Sequence, residues 1–238
     1  MTFDTSYSGT DNLLAMKTAR RYNAFLGSMI NAFAPKDGKI LDFGAGAGTF
    51  AHIATTPSRS VICVEKDTAL RDSLVADGFE VYASLKAIPD NSIAFAYTLN
   101  VLEHIEDDKA ETLELYRILK PGAVCFAFVP ALKILYSAMD AKVGHIRRYN
   151  LGELKSLFHQ SGFSINDARY ADSLGFFASL LYKWIGSADG SINVKMLSLY
   201  DRFIFPISRF LDTFTFKIFG KNCFVVARKI TGDNANQP

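Results

Sequence analysis

Short apolar runs alternate with amphipathic stretches along most of this chain. Apolar residues between Tyr22 and Phe33 recur at helical spacing, which predicts a helix over about 11–34. Further helical patterns occupy 48–55, 67–78, 107–122 and 150–163. Apolar runs of strand length separate them, at 39–43, 60–65, 79–83, 92–102, 123–130, 163–170 and 222–229. The alternation predicts an α/β fold with a Rossmann-like, mostly parallel sheet that is covered by helices on both faces.

One segment, 171–221, interrupts this alternation between the sixth and seventh strands. Its apolar residues also follow helical spacing, first around Trp184 and again over 203–218, where Pro206 is expected to kink or split the helix. Nine of the chain's 20 phenylalanines lie in or directly after it. The sequence therefore predicts a single domain over 1–238 that carries a helical insertion, or lid, at 171–221.

Charge and cysteine usage exclude several classes of protein. The 26 Lys and Arg against 24 Asp and Glu give a net charge of +2, which is too small to indicate a nucleic-acid partner. Cys63, Cys125 and Cys223 lie far apart in apolar runs and form no metal-binding motif, so we expect buried free thiols and no metal. The N-terminus lacks a signal-peptide pattern, and no apolar run reaches the length of a membrane span. These features predict a cytoplasmic protein.

The stretch "KILDFGAGAGTFAHIA", at 39–54, places three glycines where a strand gives way to a helix. Gly44, Gly46 and Gly48 have no Cβ, so a ligand can reach the main chain of this turn. The dinucleotide fingerprint GxGxxG would need glycine at position 49, which is Thr49 here. The spacing therefore argues against a pyrophosphate seated on the helix N-terminus.

Two carboxylates accompany the glycine turn. Asp42 directly precedes it and would suit a ligand with a cationic part better than a doubly negative pyrophosphate. Glu65 ends the second strand, 21 residues after Gly44, where an acidic side chain can accept hydrogen bonds from both hydroxyls of a ribose. The set predicts a site for an adenosine-containing cofactor.

Four segments in register give the chain a family resemblance. "ILDFGAGAG", "CVEKD", "LNVLEHIED" and "LKPGA" occur in the order and spacing of class I S-adenosylmethionine-dependent methyltransferases, over about 20–170 and again at the last strand. The resemblance implies a seven-stranded sheet with an antiparallel last strand and S-adenosylmethionine as cofactor. It implies that Glu65 binds the ribose and that Ser84 or Leu85 lies beside the adenine. The methionine side would be lined by Asp42, Gly44, Ala45, Gly46 and Gly48, and the sulfonium end by Asn100, Val101 and His104.

The chain departs from this family pattern in two places. The family often has an aspartate beside the adenine after the third strand, where this chain reads "YASLKAIP". It often opens the fourth strand with Phe-Asp, where this chain has Ile93 and Ala94. The adenine amino group is therefore expected to depend on backbone acceptors, which bears on affinity rather than on fold.

The segment "GHIRRYN", at 144–150, follows the fifth strand and resembles a subset of these methyltransferases associated with glycan and lipid-linked sugar pathways. His145 could take a proton from a hydroxyl acceptor. Arg147 and Arg148 could bind a phosphate or carboxylate of that acceptor, and Tyr149 could orient either partner. We regard these residues, with His104, as the candidate catalytic set.

Each of these residues also has a structural interpretation. The arginine pair could be a solvated turn before the helix that Asn150 caps, and His104 could cap the helix after it. Glu103 could tie its loop down through backbone hydrogen bonds. The remaining histidines, His52 and His159, lie within helical patterns and are interpreted as structural or exposed.

The function hypothesis is methyl transfer to a small-molecule or lipid-linked sugar acceptor, most simply at a hydroxyl. No Asn/Asp-Pro-Pro-Tyr motif is present, which argues against methylation of nucleobase amino groups. The alternatives are a nicotinamide-dependent reductase or epimerase, and a non-catalytic module that binds the cofactor. The insertion also suggests peripheral membrane contact, because basic residues outnumber acidic ones by nine to four over 169–229.

Overall fold

The computed structural model describes residue 12 and residues 15–185, 190–216 and 218–231. Seven strands form one sheet in the order β3-β2-β1-β4-β5-β7-β6. Strands β1 to β5 are parallel, and β7 is antiparallel to both β5 and β6. The strands are β1 (Gly38–Phe43), β2 (Arg59–Val64), β3 (Glu80–Tyr82), β4 (Ile93–Leu99), β5 (Leu119–Pro130), β6 (Phe163–Ala171) and β7 (Asn222–Lys229). The predicted fold class, including the antiparallel last strand, is confirmed.

Helices cover both faces of the sheet, as the apolar patterns predict. One face packs against α1 (Arg20–Phe33), α2 (Thr49–Ala54) and α3 (Thr68–Ala76), through residues such as Leu26 and Leu74. The other packs against α4 (Asp108–Ile118) and α6 (Leu151–Gln160), through residues such as Phe158. A five-residue helix, α5 (Ala138–Lys142), precedes α6 and carries a Ser137–Asp140 capping box.

Two predicted boundaries differ from the structure. The predicted helix over 11–34 is interrupted: residues 12, 15 and 16 are helical, a turn follows at 17–18, and α1 begins at Arg20. Residues 11, 13 and 14 of the predicted helix lie outside the described residues. Helix α4 ends at Ile118, and β5 begins at the next residue, because Leu119 already pairs with Ile93 of β4. Pro121 and Gly122 therefore belong to an irregular start of β5 rather than to a helix end.

The insertion contains α7 (Ser173–Ile185), α8 (Val194–Leu199) and α9 (Phe205–Thr215), and a single π-helical turn at Tyr200–Ile204 joins the last two. Pro206 lies in the first turn of α9, directly after the π-helical turn, so the helical run is irregular where the sequence predicts a kink or a split. Among the described residues, no helix combines the length and apolar character needed to cross a bilayer.

Two buried aspartates fasten the insertion: Asp201 ties it to the body, and Asp212 ties two of its own helices together. Asp201 accepts the backbone N–H groups of Arg21 and Tyr22 at 3.0 and 2.8 Å, at the start of α1. Asp212 accepts those of Asp172 and Ser173, both at 2.9 Å, at the start of α7. Carboxylates at helix N-termini satisfy otherwise unpaired donors and interact favourably with the helix dipole. Asp201 therefore fixes the insertion against α1, and Asp212 fixes α9 against the start of α7.

The three cysteines are buried and free, as predicted. Each lies on a sheet strand, and burial raises the pKa of all three thiols well above the usual range. They are core residues and not reactive groups.

Candidate active site

The glycine turn lies at the carboxyl ends of β1 and β4, which are neighbours in the sheet although two helices and two strands separate them in sequence. The strand order reverses between these two strands, because β2 and β3 lie on one side of β1 and β4 and β5 lie on the other. Open α/β sheets bind their ligands at such a reversal. Gly44, Gly46 and Gly48 all have positive φ angles, of 80°, 54° and 73°. The Gly44 N–H donates to Val64 O at 2.8 Å, which ties the turn to the end of β2.

Glu65 is held in a defined orientation beside the turn. Its Oε2 accepts the Gly46 N–H at 2.8 Å, and its Oε1 accepts the Asp67 N–H at 2.9 Å. The side chain is only partly buried. Because a carboxylate has about four acceptor positions, these two bonds leave lone pairs for the two hydroxyls of a ribose.

Asp42 does not face the cleft in the way that its sequence position suggests. It is only 3% exposed, and its Oδ2 accepts the Tyr97 hydroxyl at 2.9 Å from the paired residue of β4. Burial raises the pKa of Asp42 to about 7; the Tyr97 hydrogen bond lowers it and the nearby Glu65 charge adds to the rise. The Asp42 side chain therefore bonds the neighbouring strand inside the protein, and Glu65 is the more accessible carboxylate.

The segment after β4 closes over the turn. Asn100 has a φ of 55°, and its N–H donates to Phe128 O at 2.8 Å. This conformation carries Val101 directly over Gly44, so that a Cβ at position 44 would lie 2.2 Å from Val101 Cγ2. Gly44, which the sequence analysis assigns to ligand access, is therefore also needed to leave room for the Val101 side chain.

The predicted adenine neighbours differ from each other in accessibility. Ser84 is partly exposed, and its hydroxyl accepts the Lys86 N–H at 3.2 Å at the start of a short 3-10 turn. The side chain of Leu85 is fully buried in the core. Leu85 can therefore contribute only its backbone to a base-binding site.

Two of the predicted acceptor-binding residues lie inside the protein. Arg148 is 3% exposed; its Nε and Nη2 donate to the two oxygens of Asp140 at 2.9 and 3.0 Å, and its Nη1 to Ala131 O at 3.1 Å. The Tyr149 hydroxyl is buried within 2.7 Å of Asp108 Oδ2 and 3.0 Å of Leu102 O. These side chains hold the loop in place and do not present groups to an acceptor.

Arg147 is more exposed than its neighbour but is also engaged. Its Nη1 donates to Asp108 Oδ2 at 2.7 Å and its Nη2 to Glu106 O at 2.8 Å. Its side chain remains 30% exposed. Of the arginine pair, only Arg147 could meet an anionic acceptor without a rearrangement of the core.

His145 is positioned by a carboxylate that the sequence analysis did not identify. Its Nδ1 lies 2.7 Å from Asp140 Oδ1, and Asp140 is fully buried against Arg148. Burial acts to raise the pKa of Asp140, but hydrogen bonds from His145 and Arg148 and the Arg148 charge outweigh it and lower the pKa to about 2. The only signal in the sequence is the capping box Ser137-x-x-Asp140, which by itself predicts a helix start.

Glu103 and His104 complete a cluster around His145. The Glu103 Oε1 lies 3.6 Å from His145 Nε2, and the two histidine rings meet edge to face with centroids 4.7 Å apart. Burial raises the pKa of Glu103 to about 8, and burial together with the neighbouring His145 lowers that of His104 to about 4. The expected loop tie is made by the main chain of Glu103, whose carbonyl accepts the Ile146 N–H at 2.9 Å. The helix after His104 is capped by Asp107 and not by His104.

The remaining two histidines lie away from the cluster. His52 is exposed on α2, with its Nε2 3.1 Å from Asp77 Oδ2, and His159 is exposed on α6. Both agree with the structural or exposed interpretation.

Comparison with known proteins identifies relatives of this chain. Residues 17–167 match the family described as methyltransferase domain. Over 155 residues the chain is 26% identical to a Mycolicibacterium smegmatis protein named "Probable S-adenosylmethionine-dependent methyltransferase". The match covers 62% of this chain and spans 60% of the length of that relative.

Solved structures share the fold over nearly the whole chain. A chain from the Haloferax volcanii complex of the Trm112 methyltransferase activator with a methyltransferase has a TM-score of 0.63 at 13% identity, covering 94% of this chain and 95% of its own. An S-adenosylmethionine-dependent methyltransferase of Thermotoga maritima has a TM-score of 0.63 at 16% identity, covering 92% and 95%. At identities this low, the similarity shows a shared fold and says nothing about a shared acceptor.

Proposed function

Because this chain belongs to the family of methyltransferase domains, we propose that it transfers a methyl group from S-adenosylmethionine to a hydroxyl of a small-molecule or lipid-linked sugar acceptor. The observation that carries the proposal is the Glu65 carboxylate, which Gly46 and Asp67 orient beside the glycine turn. The family match does not support the alternative of a nicotinamide-dependent reductase or epimerase.

The residues around the turn fit this cofactor. Glu65 would accept hydrogen bonds from the ribose hydroxyls, and the positive-φ turn at Gly44–Gly48 would bring bare main chain to the methionine part. Asn100 and Val101 follow β4 at the same edge of the sheet, and backbone groups near Ser84 are available to the adenine. When bound, S-adenosylmethionine supplies an electrophilic methyl group on a positively charged sulfur.

On the acceptor side, the Asp140–His145 pair is the group best placed to act. Since a carboxylate oxygen can only accept, Nδ1 of neutral His145 donates to Asp140, and Nε2 is the nitrogen that can receive a proton. A positioned base contributes roughly 10²–10⁴-fold, and the alignment of two reactants can contribute about 7–11 kcal/mol. Arg148 and Tyr149 are positioning residues in this scheme.

Binding of S-adenosylmethionine tests the proposal directly. Isothermal titration should show one site per chain, and Glu65→Ala should weaken binding by about 10- to 100-fold, because two hydrogen bonds to a carboxylate are lost. Glu65→Gln keeps an acceptor oxygen and should have a smaller effect. Glu80→Ala removes an exposed carboxylate at the start of β3 and serves as the matched control. Absence of binding by the unaltered protein at millimolar ligand would reject the proposal.

We also propose that the insertion contacts a membrane surface, where a lipid-linked acceptor would lie. The run from α8 through α9 presents one apolar face to solvent at spacings of three and four residues. Each residue of this face is more than half exposed: Met196, Leu199, Phe203, Ile207, Phe210 and Phe214. An exposed apolar surface of this extent favours a partner over bulk water.

The charges around this face favour an anionic lipid surface. Both aspartates of the run, Asp201 and Asp212, turn inward to the helix N-termini described above, whereas Lys195 and Arg202 point outward. A depression beside the face is lined largely by exposed cations, namely Lys17, Arg20, Arg21 and Arg202. Apolar contact and basic charge are the two terms that bind amphipathic helices to membranes.

Flotation with vesicles tests membrane contact. The unaltered protein should rise with vesicles that contain anionic phospholipid, less with zwitterionic ones, and less at high salt because exposed charges are screened. Phe210→Glu combined with Phe214→Glu should leave the protein in the dense fraction. Val75→Glu makes the same change at an exposed apolar residue of α3 and should float normally. Failure of the unaltered protein to float would reject the contact.

A further inference from the structure

We infer that Glu103, His104 and His145 form a binding site for a divalent transition-metal cation. One ligand atom from each residue lies within 4.8 Å of the others, a spacing that a single ion can bridge after small side-chain movements. His145 Nε2 and Glu103 Oε1 are already 3.6 Å apart. The site joins two loops at the carboxyl edge of the sheet, one after β4 and one after α5.

The Glu103 carboxyl provides an observation independent of the clustering. The residue is fully buried, and neither of its carboxyl oxygens has a hydrogen-bond partner of normal geometry among the described residues. A buried polar group without a partner costs free energy, and native proteins rarely retain one without a reason. A bound cation would satisfy both oxygens, and the group is directed at the histidine that would share the ion.

The hydrogen bonds of the two histidines select the tautomer that a metal needs. His145 Nδ1 lies 2.7 Å from a carboxylate oxygen of Asp140, and His104 Nδ1 lies 3.2 Å from Gly144 O. Both partners are acceptors only, so in each neutral ring Nδ1 carries the proton and Nε2 carries the lone pair. A carboxylate or carbonyl behind a histidine is the arrangement that orients metal-binding imidazoles.

The ligand set indicates which ions suit the site. Two imidazoles and one carboxylate favour Zn²⁺ or a related transition metal, because Mg²⁺ and Ca²⁺ prefer oxygen ligands. Three protein ligands leave at least one coordination position for water or for an oxygen of a second ligand. If the proposed function holds, on which this one step rests, an oxygen of the acceptor takes that open position. His145 Nε2 is then a metal ligand and does not act as the base described above.

Zinc binding to metal-stripped, untagged protein tests the inference. Titration calorimetry and elemental analysis should both show one Zn²⁺ per chain. Glu103→Gln and His145→Ala should each weaken Zn²⁺ binding at least about 100-fold. Losing a residue that only supports a metal ligand already lowers metal affinity by about 10- to 100-fold, and these two residues are ligands themselves. His159→Ala removes an exposed histidine of α6 and should bind normally. No binding, or equal binding in all four proteins, would overturn the inference.

Thermal unfolding gives a second readout that does not depend on activity. In chelator, Glu103→Gln should melt at the same temperature as the unaltered protein or higher, because an uncharged amide costs less to bury than a carboxylate. With Zn²⁺, the unaltered protein should gain stability by mass action and Glu103→Gln should not. A variant that melts lower in chelator, or that gains equally from Zn²⁺, would contradict the site.

A titration of S-adenosylmethionine in chelator separates this inference from the proposed function. Zinc binding without cofactor binding would reject the proposed function and leave the metal site standing. Cofactor binding without zinc binding would overturn the metal site and leave the proposed function standing.

Discussion

Replacing Arg148 by methionine should destabilise the protein by about 3–5 kcal/mol, because it leaves the buried Asp140 carboxylate without its cation. Arg148 and Asp140 are 3% and 0% exposed, and two hydrogen bonds join them. The remaining donors to Asp140 are His145 Nδ1 and the N–H and hydroxyl of Ser137, and none of them supplies a fixed positive charge. Urea unfolding followed by circular dichroism measures the loss.

The neighbouring arginine is the matched control for this change. Arg147→Met removes an identical side chain one residue away, but the Arg147 guanidinium is 30% exposed, and partly exposed ion pairs contribute at most about 1 kcal/mol. Arg148→Lys keeps the positive charge but loses the bidentate contact with Asp140. Its cost in stability should therefore fall between those of Arg147→Met and Arg148→Met. Equal losses at positions 147 and 148 would contradict a structural role for Arg148 and favour the acceptor-binding role expected from the sequence.

Replacing Gly44 by alanine should cost about 2–5 kcal/mol in stability, the sum of a positive-φ penalty and an overpacked contact. Its φ is 80°, and the added Cβ would meet Val101 Cγ2 at 2.2 Å. The turn and the loop after β4 cannot both keep their positions around this methyl group. S-adenosylmethionine binding, measured by titration calorimetry, should weaken with the displaced turn.

Gly78 separates the two contributions to the Gly44 effect. It has a φ of 88°, but a Cβ there meets nothing within 4 Å. Gly78→Ala should therefore cost only the backbone penalty, about 1–2 kcal/mol, and leave cofactor binding unchanged. Adding Val101→Ala to Gly44→Ala should recover part of the steric loss. If Gly44→Ala proves no worse than Gly78→Ala, the contact with Val101 is not what requires glycine at position 44.

The sequence was most informative where a local pattern has one structural solution. The seven strand-like segments predict the seven strands, because short apolar runs and short alternating apolar and polar patterns are both typical of strands. The glycine turn and Glu65 follow directly from their strands, so their positions at the carboxyl edge are set by short-range chain geometry. The family assignment agrees with the class I methyltransferase resemblance and with S-adenosylmethionine as its cofactor.

The acceptor side was harder to predict because its contacts join residues that are distant in sequence. Nothing in "GHIRRYN" distinguishes a buried arginine from a solvated one, and only packing shows that Arg148 turns inward to Asp140 while Arg147 stays near the surface. Glu103 and His145 are 42 residues apart and follow no metal-binding spacing. The expectation of no metal came from local motifs, which cannot detect such a group.

By itself, the sequence determined the order of strands and helices along the chain, the glycine turn and the family, because these depend on apolar periodicity and on residues a few positions apart. The tertiary structure alone decided which charged side chains are buried: Arg148 and Asp140 as a pair, Asp42 against Tyr97, and Glu103 beside two histidines. The physical reason is that the charge state and accessibility of a side chain depend on desolvation and on partners, and both are supplied by parts of the chain that meet only on folding.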